Sequence, residues 1–179
     1  PAPLSPGAYA IPFLGAADDA PWGRLEVPAG WGQDRMVLAT GRDLDPHLRR
    51  LELFAMTSVA PDPCAGTIAP VKATVSDIVT ALTTQRTVRP SSASPVSIDG
   101  YSGQLVQTTV PPTLDVTQCH GQTLRPFASD IGYVTVFPGW TYRTWVLDVQ
   151  DHPLVIMAAH GPATTPTELT ELTTLVEGL

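Results

Sequence analysis

Trp140-Thr141-Tyr142-Arg143-Thr144-Trp145-Val146-Leu147-Asp148-Val149, then Gln150-Asp151-His152-Pro153, then Leu154-Val155-Ile156-Met157-Ala158-Ala159: this stretch decides the fold class. In an extended chain successive side chains point to opposite faces. Arg143, Trp145, Leu147 and Val149 therefore share one face, and Tyr142, Thr144, Val146 and Asp148 the other. β-branched and aromatic residues dominate, which suits a strand. The second segment is an unbroken apolar run, the signature of a central strand covered on both faces. The four polar or turn-forming residues between them read as the loop of an antiparallel hairpin.

Downstream, Thr165-Pro166 opens a helix, with proline at its first position. Leu169, Leu172, Leu175 and Val176 give it a buried stripe, and Glu168, Glu171 and Glu177 face water. Upstream, Tyr133 to Phe137 is a strand halted by Pro138-Gly139. Gly103 to Val110 is another, stopped by Pro111-Pro112. Pro95 to Ile98 leads into the tight-turn dipeptide Asp99-Gly100. A second helix is predicted mid-chain: Thr74 is its N-cap, Asp77 stands three residues on, and Val75, Ile78, Val79 and Leu82 form one stripe. Arg50 to Val59 reads as one long strand whose far end is apolar on both sides. Met36 to Thr40 and Arg24 to Val27 are further strands, with Gly32-Gln33-Asp34 as a turn. Tight turns between strands and two separated helices predict an α+β fold: an antiparallel β-sheet with two packed helices, one mid-chain and one C-terminal. Residues 1–20 are rich in proline, glycine and alanine, with Ile11, Phe13 and Leu14 among them; they read as an arm or linker, and residues 21–179 as a single globular domain.

Composition excludes several functions. The chain has 179 residues, 43% hydrophobic and only 15% charged, enough to fold without a metal. Its net charge is −7, and its nine arginines and single lysine, Lys72, are scattered apart from Arg49-Arg50. Nucleic acid and anionic lipid both require a basic face, so neither is an expected partner. Asparagine is absent, so N-glycosylation has no acceptor. No segment is long and apolar enough to span a membrane. The N-terminal composition suits either a mature secreted chain, one cut just after a membrane anchor, or a trimmed cytosolic domain.

Cys64 and Cys119 each lie in a polar, turn-rich loop, Pro61-Asp62-Pro63-Cys64-Ala65-Gly66 and Thr117-Gln118-Cys119-His120-Gly121. Their spacing is not that of a redox dithiol, and no further cysteine completes a zinc site. A structural disulfide is the expectation, which points to an oxidising compartment outside the cytoplasm.

Several strings resemble a family of secreted or membrane-anchored actinobacterial domains of unassigned function. They are Val27-Pro28-Ala29-Gly30-Trp31, Asp62-Pro63-Cys64, the helix Val75 to Leu82, Ser97-Ile98-Asp99-Gly100-Tyr101-Ser102-Gly103, Cys119, and Trp145-Val146-Leu147-Asp148-Val149. The resemblance runs from about Trp22 to the C-terminus. In that family the Asp-Val strand end leads into an Asp-Gly turn, so the loop after Val149 here is expected to be longer. The element order is also similar to the Mog1/PsbP-like fold of mycobacterial lipoproteins. Neither family carries catalytic residues onto this chain.

The sequence offers no catalytic constellation. A hydrolase needs a nucleophile, a base and an orienting acid. No G-x-S-x-G elbow is present, and the four histidines, His47, His120, His152 and His160, lie apart. Asp18-Asp19, Asp43/Asp45 and Asp148/Asp151/His152 are acidic spots without metal-ligand spacing, so no metal and no cofactor are expected. Trp140 and Tyr142, just after Pro138-Gly139, stand near a rim where an aromatic could meet a ligand or partner; the competing reading is core packing. The expected function is a non-catalytic extracytoplasmic binding, interaction or sensor domain of an actinobacterial envelope protein. It would act as a monomer on a protein partner or small envelope ligand, either secreted or held by an upstream membrane anchor on the outer face of the cytoplasmic membrane. The alternative is a small hydrolase whose site assembles only in three dimensions.

Overall fold

The computed structural model describes residues 1–12, 22–34, 37–42, 45–129, 132–150 and 152–179. Phe13, Leu14, Asp18-Asp19, Met36, Asp43 and Asp151 lie outside them. Along the chain come β1 (Ala2–Pro3), β2 (Gly7–Pro12), β3 (Trp22–Val27), β4 (Gly32–Asp34), β5 (Val37–Ala39), β6 (Arg49–Phe54), β7 (Met56–Val59) and β8 (Ala69–Pro70). Helix α1 (Val75–Thr83) follows, then β9 (Arg89–Pro90), β10 (Ser94–Ile98), β11 (Tyr101–Thr109), β12 (Leu124–Ser129), β13 (Gly132–Val136), β14 (Thr141–Val149), β15 (His152–His160) and α2 (Pro166–Glu177).

The apolar run is β15, and it lies at the centre of the large antiparallel sheet, ordered β1-β4-β5-β6-β15-β14-β11-β10. A second sheet is ordered β13-β12-β7-β8, and β2 pairs with β3 as a hairpin. Alternation along β15 decides the layering. Val155, Met157 and Ala159 point into a first core, and Leu154, Ile156 and Ala158 into a second. The first core is closed by the second sheet and α1, and contains Phe54, Phe127, Ile78, Leu82, Trp140 and Tyr142. The second is closed by α2 and the hairpin, and contains Leu25, Trp31, Trp145, Leu147, Leu172 and Val176. The architecture is thus the expected α+β: an antiparallel sheet with both helices packed against it.

Both helix starts form as the sequence dictates. The Thr74 hydroxyl accepts from the Asp77 amide at 3.1 Å. At α2, Thr165 accepts from the Glu168 amide while the Glu168 carboxylate accepts from the Thr165 amide at 2.8 Å, a complete capping box. Those hydrogen bonds hold the Glu168 carboxyl below its ordinary value. Asp99 and Gly100 both take positive φ, 47° and 81°, as the tight β10–β11 turn requires.

Four local expectations change. Residues 50–59 are not one strand: the chain breaks at Ala55 and passes from the large sheet (β6) to the second (β7). Strands that change sheets make the corners of such packings, which explains why Phe54 and Met56 are both buried. Gly32–Asp34 is not a turn but β4, paired with β5 and β1. The loop after Val149 is short rather than long, because Val149 pairs with His152 and Asp148 with Pro153. β12 has no counterpart in the sequence reading, since Pro126 lies inside it; a register shift between Leu124 and Phe127 accommodates it.

Candidate functional site

The histidines were the sequence's route to catalysis. His47, His120 and His152 are exposed. His120 lies against Gly66, where an added Cβ would stand 2.5 Å from the ring, so only glycine fits there. His160 is half-buried and its Nδ1 lies 3.1 Å from the Gly161 carbonyl oxygen. Burial, then the nearby Arg143 charge, hold its pKa below the ordinary value, with the Gly161 contact opposing. Among the described residues, no histidine meets both a hydroxyl and a carboxylate, and no cluster of His, Cys, Asp and Glu could hold a metal ion.

Cys64 and Cys119 form a disulfide, joining two loops 55 residues apart in sequence. The loop geometry around it is fixed by Asp62, whose Oδ1 accepts from the Cys64 amide at 3.0 Å and from the Thr87 hydroxyl at 2.7 Å. Thr87 is β-branched with φ of 67°, an uncommon conformation that this hydrogen bond helps to hold. The Cys64 carbonyl and the Pro63 carbonyl accept from His120 and Arg125 amides, so the cross-link sits within a hydrogen-bonded junction.

Trp140 and Tyr142 do not stand at a rim. They are 2% and 0% exposed, inside the first core. Gly139 donates to Val110, and Val110 to the Trp140 carbonyl, so the Pro138-Gly139 turn folds Trp140 inward. Phe137 packs edge-on to Trp140, and Phe127 edge-on to Tyr142. Burial pushes the Tyr142 hydroxyl well above the ordinary tyrosine range. The ligand-contact reading of these two residues is therefore replaced by a packing role.

Arg49-Arg50, the one adjacent basic pair, shows what strand alternation does to neighbours. Arg49 points to the α2 face. Its Nη1 lies 2.6 Å from Glu171 Oε1, its guanidinium stands over Trp31, and the Trp31 Nε1–H donates to the same carboxylate oxygen at 2.8 Å. Glu171 thus joins β6, α2 and Trp31 while staying partly exposed. Its partners come from 122 and 140 residues away, beyond what helical periodicity can reveal. Arg50 points the other way, pairs with the buried Glu52 and donates to the Thr135 carbonyl at 3.3 Å.

Two cavities flank these residues. A groove of about 520 Å³ runs between α2 and the β3 end, lined by Glu26, Pro28, Thr170, Thr174, Leu175 and Gly178 among others. Its walls are mostly apolar, with the carboxylates of Glu26 and Glu171 at its border. A cavity of about 390 Å³ lies over β4, β5 and β6, lined by Asp34, Arg42, Arg50, Val37, Ala39 and Gly41, with Pro1 beside them. Both volumes fall in the range of small-molecule sites. Neither set was singled out from sequence, because its members come from separate segments and match no motif. No protein-family model matches the chain, and no curated protein matches it.

Proposed function

We propose that this chain is a non-catalytic binding module that works outside the cytoplasm, as in an actinobacterial envelope protein. The observation that carries the reading is the groove between α2 and β3. It joins apolar wall to a few polar groups, the pattern of a binding site. The disulfide supports the compartment, since such bonds persist where thiols are oxidised. The groove's partner is a protein or a small envelope ligand that buries Leu175 and Pro28 further.

A photoreactive residue at Thr170, introduced in cells that produce the protein, tests this. A discrete adduct is expected, competed by excess unlabelled protein and absent when the same residue replaces exposed Ser92. Turnover of ester or peptide substrates that disappears in His160→Ala would overturn the reading in favour of a hydrolase.

A further inference from the structure

The cavity over β4–β6 is a separate matter, on the opposite side of the large sheet from α2. Its lining is divided by chemistry. Val37 and Ala39 project from β5 on the same face as Arg50, because Ala39 pairs with Arg50 across the β5–β6 ladder. They form an apolar floor. Arg42 and Arg50 bring cations to the lining, and Asp34, at the end of β4, brings an anion.

Arg50 is the informative member. Its side chain is 12% exposed, and its partner Glu52 is 10% exposed. Burying such a pair costs desolvation that mutual attraction only partly offsets, so it is weak as a stabilising device. Its effect here is to fix the guanidinium: Nε is committed to Glu52 and Nη1 to the Thr135 carbonyl. A guanidinium carries five donors in a rigid fork suited to a carboxylate. One is hydrogen-bonded among the described residues, to the Thr135 carbonyl, and the group lines the cavity.

From this we infer that the cavity binds a free apolar amino acid. The carboxylate meets Arg42 and Arg50, the ammonium meets Asp34, and an aliphatic side chain lies on Val37 and Ala39. A simple anion would leave Asp34 unpaired beside it, and a simple cation would leave Arg42 so; a zwitterion satisfies both signs. The volume of about 390 Å³ accommodates an amino acid of leucine size with solvent.

The test uses L-leucine and its two truncations, 4-methylpentanoate (no ammonium) and isopentylamine (no carboxylate), titrated by calorimetry or amide-shift mapping. Saturable L-leucine binding is expected, with both truncations weaker by about tenfold or more, because each leaves a charged group unpaired. Asp34→Asn and Arg42→Ala lie at exposed positions and leave the fold intact. Each should weaken L-leucine by about tenfold or more, while Asp34→Asn leaves 4-methylpentanoate unweakened. Arg50→Lys, which keeps a cation opposite Glu52, should weaken binding with little change in melting temperature. No saturable L-leucine binding, or binding indifferent to Asp34→Asn and Arg42→Ala, would overturn the inference. So would 4-methylpentanoate binding as tightly as L-leucine. None of these outcomes bears on the α2 groove.

Discussion

The two cores on either side of the large sheet are closed by different means. The first is closed by a second sheet and by stacked aromatics: Phe54 and Phe127 lie 5.6 Å apart between centroids. A disulfide spans the loops at its edge, with Cys119 inside the core itself. The second is closed by one helix and one hairpin, and α2 is held through charge and hydrogen bonds. Arg49 and Trp31 grip Glu171, and Arg143 reaches the Thr173 hydroxyl at 3.3 Å. Both sides pack, but the first adds a covalent closure and the second a polar latch. A polar latch responds to single polar substitutions in a way that packed aromatics do not.

That contrast can be broken by experiment. Phe127→Ala removes the ring shared by Phe54 and Tyr142 and should destabilise by about 3–5 kcal/mol. Urea unfolding followed by tryptophan fluorescence measures it; a loss under about 1 kcal/mol would mean the first core collapses around the vacancy.

Glu171→Ala should cost about 1–3 kcal/mol, because the Trp31 N–H and Arg49 are left partly buried without their acceptor. Glu177→Ala, at an exposed position of the same helix, should change little. Equal midpoints for the two variants would reduce the latch to ornament.

The smallest effect concerns His160. Its folded-state pKa lies below the ordinary value of 6.5, so below that pH the unfolded chain takes up a proton that the folded chain resists. The resulting stabilisation is fully present above the unfolded value and is lost as pH falls from there through the lower folded value. The melting temperature should therefore drop between neutral pH and about pH 5. His160→Gln should flatten that slope; an unchanged slope would assign it to other groups.

Much of this was legible in the residues, for reasons that differ by element. β14 and β15 declare themselves because their periods, alternating and unbroken, report one face or two. α1 and α2 declare themselves through Thr74 and Thr165, whose hydroxyls have an identifiable backbone partner three residues on. The turn at Asp99-Gly100 needs positive φ, and glycine announces it. Periodicity failed where the third dimension intervened. Phe54 and Met56 look like one strand covered on both sides, yet the chain changes sheets between them. Trp140 follows a turn that would suit a surface, yet Val110 draws that turn inward. Glu171 occupies the solvent side of a helical wheel, yet Arg49 and Trp31 reach it from the other end of the sequence. The two cavities were invisible for the same reason: Asp34, Arg42 and Arg50 share a wall only because β4, β5 and β6 lie side by side.

The position of β15 has a consequence for how the chain reaches this state. It is the penultimate element described, yet it stands between β6 and β14 and contributes to both cores. Until residues 152–160 arrive, β6 and β14 each present a bare edge, and neither core has its middle wall. Strands β4, β5 and β6 can pair with one another beforehand, but the β6 and β14 edges stay open until β15 is in place. Such long-range pairing is slow to form and open to misassociation in the interval. The disulfide cannot substitute for it, since Cys64 and Cys119 both precede β15: early oxidation would fix loops beside the second sheet while the large sheet still lacks its centre.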